Sequence, residues 1–386
     1  MKLRQFDSIA AIDAQTWNAC FAAGDPFVRH DFLAALEAHG CAVPQTGWTP
    51  CHAALEDDAG QVIGAAPLYL KTHSYGEFVF DFSWVEASRR LGHRYYPKLL
   101  CAVPFTPVTG PRLGARDDCI RTALAQGLRQ LAERMQLSSL HALFVNDTDL
   151  CALRTAQCVE RNDVQFHWRN SGYADFAAFL ATLTHDKRKK ILRERRRIAE
   201  AGLRHQWQAG DTLSEAQWAE VYALYANTYA ERGREPYLNL DFFLDYGRRP
   251  DTPVRLVSAF DDARRVAVAI TLRGGDTLYG RHWGAATHYH SLHFETCYYQ
   301  GIEYCIDQGL RHFDAGAQGG HKLARGFVPE LTSSAHWLSE PLLADAVQRA
   351  IKRERVLVEA EGRMLSAHNP YRQHDEQQAA AALSLE

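Results

Sequence analysis

The chain has 386 residues, a formal net charge of −3 at pH 7, 46% hydrophobic residues and 23% charged residues. That length suggests two domains of ordinary size. The apolar share is enough for buried cores and excludes disorder, and the balanced charge excludes a duplex-DNA binder. Nine cysteines occur singly with no C-x-x-C spacing, which reads as reduced thiols in a cytoplasmic protein, not a disulfide or zinc framework. The opening M-K-L-R-Q-F-D-S lacks the apolar run of a signal peptide, the closing Leu-Glu carries no weight, and no window is apolar enough to predict a membrane span.

In chain order, residues 13–22 and 29–39 pattern as two short helices, with Asp13 as N-cap, Gly24-Asp25-Pro26 between them and Gly40 as the second stop. Residues 53–71 read as a hairpin turning at Asp57 to Gly60. E-F-V-F-D-F-S-W (77–84) alternates like another strand, and K-L-L-C-A-V-P-F-T-P-V-T-G-P-R-L continues extended through its prolines. Ile120, Leu124, Leu128, Leu131 and Met135 recur at helical spacing over 118–136. S-L-H-A-L-F-V-N is a buried strand, 149–157 a short helix and V-Q-F-H-W-R-N a further strand.

The second half repeats that order without repeating the sequence. Helices are expected near 175–182, 185–201, 214–232 and 240–246, with a strand at 203–208. V-R-L-V-S-A-F, R-V-A-V-A-I-T-L-R and T-L-Y-G-R-H-W-G form a three-strand meander with turns at Asp261-Asp262 and Gly274-Gly275. A helix at 293–308, a strand at 311–314, a last strand S-S-A-H-W-L and a charged helix at 341–366 follow. The pattern predicts two α/β units, residues 1–168 and 169–386, with a frayed tail from about 375.

Helices, an antiparallel meander, a helix and then a parallel strand is the order of a GNAT acyltransferase domain, and two in tandem resemble the Fem-type peptidyltransferases. P-L-Y-L-K-T-H-S-Y-G-E-F-V-F-D (67–81), Y-Y-P-K-L-L (95–100), P-F-T-P-V-T-G (104–110), F-H-W-R-N-S-G-Y (166–173), L-H-F-E-T-C-Y-Y-Q (292–300) and G-A-Q-G-G-H-K-L-A-R-G-F (316–327) look like a bacterial family of FemAB-like predicted N-acyltransferases. The resemblance implies an α/β fold of two tandem GNAT-like domains with mixed, mostly antiparallel sheets. It also implies transfer of an acyl or aminoacyl group to a small-molecule or peptide amine. GNAT proteins that use acetyl-CoA carry a Q/R-x-x-G-x-G/A turn before the helix that follows the meander, where backbone N–H groups hold pyrophosphate. Here the junction reads G-A-A-T-H-Y-H-S-L-H-F-E. That weakens acyl-CoA as donor and leaves room for aminoacyl-tRNA; no tightly bound cofactor is expected.

Acyl transfer to an amine needs a base and donors for the oxyanion. Glu295 and Tyr299 are four apart on the 293–308 helix and can face one cleft, Glu295 as base and Tyr299 as donor or acid. The plainer alternatives are a Glu295 that complements the helix dipole and a Tyr299 in the core. Arg281 and His282 alternate on a strand, so one of the two faces the cleft, and the resemblance favours His282. Gly316, Gly319 and Gly320 allow backbone N–H groups near an anion, with Lys322 and Arg325 adding charge; a solvated loop is the alternative. The histidines at 282, 288, 290 and 293 lack the spacing of a metal site, and none is predicted.

The run D-K-R-K-K-I-L-R-E-R-R-R can hold tRNA through its charge, or lie as a solvated face with local Glu–Arg pairs. Asp81, Lys98 and Thr106 are candidates for acceptor recognition in the first half. A non-catalytic module that binds a carrier or peptide on the same scaffold is the alternative to an enzyme.

Overall fold

The computed structural model describes residues 1–22, 24–317 and 319–372; the expected frayed tail from about 375 lies outside them. By strand, the chain runs β1 (Lys2–Phe6), β2 (Trp48–Pro50), β3 (His52–Glu56), β4 (Val62–Ala66), β5 (Leu68–Lys71), β6 (Lys98–Cys101), β7 (Gly114–Ala115), β8 (Ser139–Val145) and β9 (Val159–Arg169). It continues as β10 (Arg204–Ala209), β11 (Val254–Asp261), β12 (Arg264–Gly274), β13 (Thr277–Ala285), β14 (His312–Asp314) and β15 (Val328–Leu338). The helices are α1 (Ala14–Ala19), α2 (His30–Ala38), α3 (Phe82–Arg90), α4 (Asp118–Arg134), α5 (Asp147–Thr155), α6 (Phe176–Thr182), α7 (His185–Glu200), α8 (Glu215–Ala230), α9 (Leu240–Tyr246), α10 (Leu292–Phe294), α11 (Gln300–Asp307) and α12 (Pro341–Ala367).

Two compact units emerge. The first is Met1–Val164 with Leu331–Ala360, and the second is Gln165–Glu330 with the residues from Glu361. In the first, β1, β3, β4 and β7 form one antiparallel sheet. β2, β5 and β6 pair antiparallel in turn, β6 and β8 pair parallel, and β8 meets β15 antiparallel. The stripe Ile120, Leu124, Leu128 and Leu131 of α4 packs into this core. Met135, expected to extend the stripe, is the C-cap and is exposed. In the second unit β10 to β13 form an antiparallel meander, β13 and β14 are parallel, and β14 meets β9 antiparallel. Each unit therefore carries one parallel pair inside a mostly antiparallel arrangement.

Three expectations are corrected. E-F-V-F-D-F-S-W is not a strand: residues 77–81 form a loop and Phe82 opens α3, with Phe78 at φ 63. The alternating phenylalanines imitate a strand, but Glu77 and Asp81 are drawn to Lys98 and the backbone follows them. The hairpin over 53–71 breaks at Pro67, which has no N–H for a ladder; β4 pairs with β3 in one sheet and β5 with β6 in another. The 293–308 helix is three pieces, with a π-helical turn at Glu295–Tyr299 between α10 and α11. Such turns shift side chains off regular α spacing.

Elsewhere the elements lie within a few residues of their predicted bounds. Asp13, Asn146, Asp175, Ser214 and Asn239 each accept a backbone N–H in the first turn of their helix, which fixes where those helices start.

Candidate functional site

β13 has nine residues, yet only Thr277, Leu278 and Tyr279 pair with β14. After Tyr279 and Asp314 the parallel strands part, and the chain beyond β14 turns through Gly316 at φ 89, a region that favours glycine. Where parallel strands end, backbone groups and side chains are released from the ladder, and α/β proteins seat ligands there.

The side chains at this parting are charged. Lys322 is buried, and its Nζ donates to the carbonyl of Gly316. Burial pulls its ammonium down to about 8, against the support of Asp314. Arg281 is brought down to about 10 by burial, again with Asp314 as its main support. Asp314 is buried, and its Oδ1 accepts the Gly316 N–H at 2.8 Å. The same carboxylate thus favours the charge on both cations. On the other side of Asp314, His167 Nε2 lies 3.8 Å away and its Nδ1 meets Glu330 at 3.0 Å. Burial opposes the charged imidazole of His167, but Asp314 and Glu330 outweigh it and hold its pKa above the usual value. Lys322 and Arg281 are cations on which an anionic group could be held.

Thr271 pairs with Gly280 and Ile270 with His282, so Arg281 is the extra residue of a bulge. The bulge breaks the strict alternation on which a choice between Arg281 and His282 depended. Tyr225 stands near both: its ring centroid is 4.8 Å from that of His282, and its hydroxyl is among the groups acting on Arg281. Burial holds the His282 imidazole down to about 3, with Arg281 adding to the effect, so this ring is neutral in the physiological range.

Glu295 and Tyr299 project into a second cluster in the same unit, where α7 packs on the π turn. Glu295 Oε1 lies 3.2 Å from Arg195 and accepts from Gln300 at 2.9 Å. Its Oε2 is buried without a hydrogen-bond partner. Burial raises its pKa, with Arg195 opposing. Tyr299 donates to Glu194 and accepts from Arg325 Nε at 3.0 Å. Arg325 also donates to Glu194 at 2.8 Å and to the His321 carbonyl at 2.8 Å, and its guanidinium lies 3.4 Å from the centre of the Phe294 ring. Lys322 and Arg325, placed together by the sequence as anion binders, are therefore used differently. Lys322 serves the parting of the strands, and Arg325 is engaged in a buried network. Gly319 has φ 109, whereas Gly320 has open space around it.

In the first unit, Asp81 and Lys98 meet. Lys98 Nζ donates to Asp81 Oδ2 at 2.5 Å, Glu77 Oε2 at 2.8 Å and Ser74 Oγ at 2.9 Å, all of it buried. Tyr95 donates to the same Asp81 oxygen at 2.6 Å. Burial works against the Asp81 carboxylate, but Lys98 and His141 bring it down to about 2. Burial also pushes Glu77 up to about 7 and pulls the neighbouring Lys71 down to about 7. Thr106 is buried and donates to the Pro104 carbonyl, apart from this network.

Sequence reasoning did not single out Glu77, Lys71, His141, Glu194 or Arg195 as site candidates. Glu77, His141, Glu194 and Arg195 each come from a segment distant from a partner, and Lys71 meets the Trp48 ring from another strand, so only the folded chain joins them. Among the described residues no three His, Cys, Asp or Glu side chains come together as a metal ion requires, and no helix is long and apolar enough to cross a membrane.

Comparison with known structures shows the fold. FemX matches with a TM-score of 0.54 at 12% identity, over 90% of this chain and 100% of that one. The C-terminal domain of a putative lysylphosphatidylglycerol synthetase from Agrobacterium fabrum matches at 0.57 and 8% identity, over 89% and 97%. L-PGS from Bacillus licheniformis matches at 0.50 and 10% identity, over 82% and 95%. The tandem GNAT-like architecture expected from the sequence is the architecture found. No curated protein matches the sequence. The FemAB-like profile, described as peptidoglycan biosynthesis/recognition, matches residues 8–373, and the chain belongs to that FemAB-like family.

Proposed function

We propose that this chain transfers an acyl or aminoacyl group from a carrier to an amine, at the parting of β13 and β14. The observation that carries the reading is geometric: the buried Lys322 donates to the Gly316 carbonyl, the Gly316 N–H is held by the buried Asp314, and Arg281 stands at the bulge of β13 just beyond the last parallel pair. A tetrahedral intermediate at an acyl carbon needs positive charge or donors aimed at its oxygen, and a desolvated site strengthens both.

In the reaction, the amine lone pair attacks the acyl carbon and forms a C–N bond, and the carbon's bond to the carrier oxygen or sulfur breaks. Lys322, poised near pH 8, gives a proton to the departing atom and recovers one from the new amide nitrogen. Arg281 keeps its charge and binds the oxyanion. The neutral His282 shapes the site beside Tyr225. Glu295 and Tyr299, with Arg195, Glu194 and Arg325, support the π turn that leads into α11.

Two carriers fit, an acyl-CoA and an aminoacyl-tRNA. The outward face of α7 favours the second: Ile191, Glu194 and Ile198 turn inward, while Lys189, Arg193, Arg196 and Arg197 are exposed, as a contact to a phosphate backbone requires. Incubating the protein with acyl-CoAs or charged tRNA and a pool of amines, then weighing the products by mass spectrometry, tests the reading. An acylated amine supports it, and carrier binding without product points to a binding module instead.

A further inference from the structure

The first unit has an open cleft of about 90 Å³ whose lining includes Phe78, Phe80, Phe144, Arg161, Asp163 and Glu354. Two of those phenylalanines sit where bulky residues are seldom found, Phe78 at φ 63 and Phe144 at φ 53. Backbone of that kind persists only when its surroundings fix it, and it gathers at ligand clamps. The surroundings here do fix it. Ser74, Glu77 and Asp81, all in the loop before α3, bind the one buried ammonium of Lys98, and Arg161 donates to the Phe80 carbonyl at 2.8 Å. The Phe144 N–H donates to Ser334 Oγ at 3.1 Å.

A loop so anchored nevertheless presents aromatic rings to water. Tyr75, Phe80 and Phe82 are 57%, 60% and 45% exposed. Phe80 and Phe82 stack at 6.0 Å and Tyr75 lies 5.7 Å from Phe82. Apolar rings held in solvent by a rigid base are a surface awaiting a ligand.

The charge of the cleft says which ligand. Arg161 is engaged with Glu354 through two bonds, at 2.9 and 2.7 Å. The Asp163 side chain is exposed, and its carboxylate accepts the N–H of the adjacent Val164 at 2.8 Å. With Arg161, Asp163 and Glu354 the cleft carries a net charge of −1 beside aromatic faces, the combination that attracts an ammonium group.

We propose that this cleft binds an organic ammonium. The inference shares with the amine-acceptor reading above only the class of ligand, an amine, and concerns the first unit by itself.

The test is calorimetric titration of the intact protein at pH 7 with 1,5-diaminopentane, with 1,5-pentanediol as the uncharged counterpart. The diamine gives saturable binding and the diol none. Asp163→Asn and Phe80→Ala, both at exposed side chains that leave the melting temperature in place, each weaken the diamine about tenfold. The proposal is overturned if the diamine gives no saturable heat, if the diol binds as well, or if both variants bind like the wild type. The separate product assay distinguishes the two readings. Diamine binding without acylated product keeps the cleft and removes acyl transfer; acylated amines with variant-insensitive binding do the reverse.

Discussion

Arg325 Nη2 lies 2.8 Å from one carboxylate oxygen of Glu194 and 3.0 Å from the other, with 1% and 6% of the two side chains exposed. This buried pair ties α7 to the loop after β14, and Tyr299 completes it from the π turn. Removing one partner leaves the other charge buried and unmatched, which costs about 3–5 kcal/mol. Arg325→Ala is therefore expected to unfold at much lower urea concentration than wild type. The double variant Glu194→Leu/Arg325→Met recovers most of that loss, because the orphaned charge is gone. Equal instability of the single and double variants would place the cost in packing against Phe294.

The pH dependence of turnover follows Lys322. Its folded pKa, about 8, lies below the usual 10.5 because of burial. If the ammonium form donates the proton, turnover at saturating amine falls as pH rises through about 8. Lys322→Arg keeps the charge across that range, so its profile lacks this limb even where its rate is low. A wild-type rate that climbs steadily to about pH 10 would exclude Lys322 as the proton donor.

Stability depends on pH through Lys71 and Glu77. Lys71 is fully buried above Trp48, its ammonium 3.9 Å from the ring centre, and burial pulls it down to about 7. Between about 7 and the unfolded value of 10.5 the unfolded chain binds more protons, so this group makes stability rise with pH there. Glu77, raised by burial from 4.5 to about 7, acts in the adjacent window: the folded chain binds more protons, and stability falls as pH rises from 4.5 to 7. Lys71→Met should flatten the alkaline limb and, by removing a cation that lowers Glu77, carry the acid limb to higher pH, read from denaturation midpoints between about pH 5 and 10.

Gly284 marks where α8 lies directly on β13. A Cβ there would come within 2.0 Å of the Leu224 carbonyl oxygen, and backbone cannot give way as a side chain can. Gly284→Ala is expected to cost about 1–3 kcal/mol by overpacking. Gly362 in α12 has nothing within 4 Å of such a carbon, so Gly362→Ala should gain about 0.5–1 kcal/mol from helix propensity. Thermal melts of the two variants should move in opposite directions.

The order of elements was legible in the sequence because most helices and strands carry their own periodicity and caps. The stripe from Ile120 to Leu131 and the cap at Asp13 depend on neighbours a few residues away. The loop at 77–81 was misread because its conformation depends on Lys98, about twenty residues on, and not on its own alternating phenylalanines. The pairing of Glu194 with Arg325 spans 131 residues, and no local pattern announces it. The bulge at Arg281 was equally hidden: a single extra residue against β12 changes which side chains share a face. Lys322 was visible as a cation in a glycine-rich loop, but its burial and its bond to the Gly316 carbonyl belong to the fold alone.

In the proposed reaction Lys322, at the parting of β13 and β14, serves acyl transfer to an amine. The most direct measurement is quantitative mass spectrometry of amine products formed from charged tRNA or acyl-CoA by wild type and Lys322→Met, compared at equal folded concentration. The account predicts an acylated amine with the wild-type protein and a loss of about a hundredfold or more in the variant. Equal product from the two proteins, or none from wild type with any donor, would contradict it.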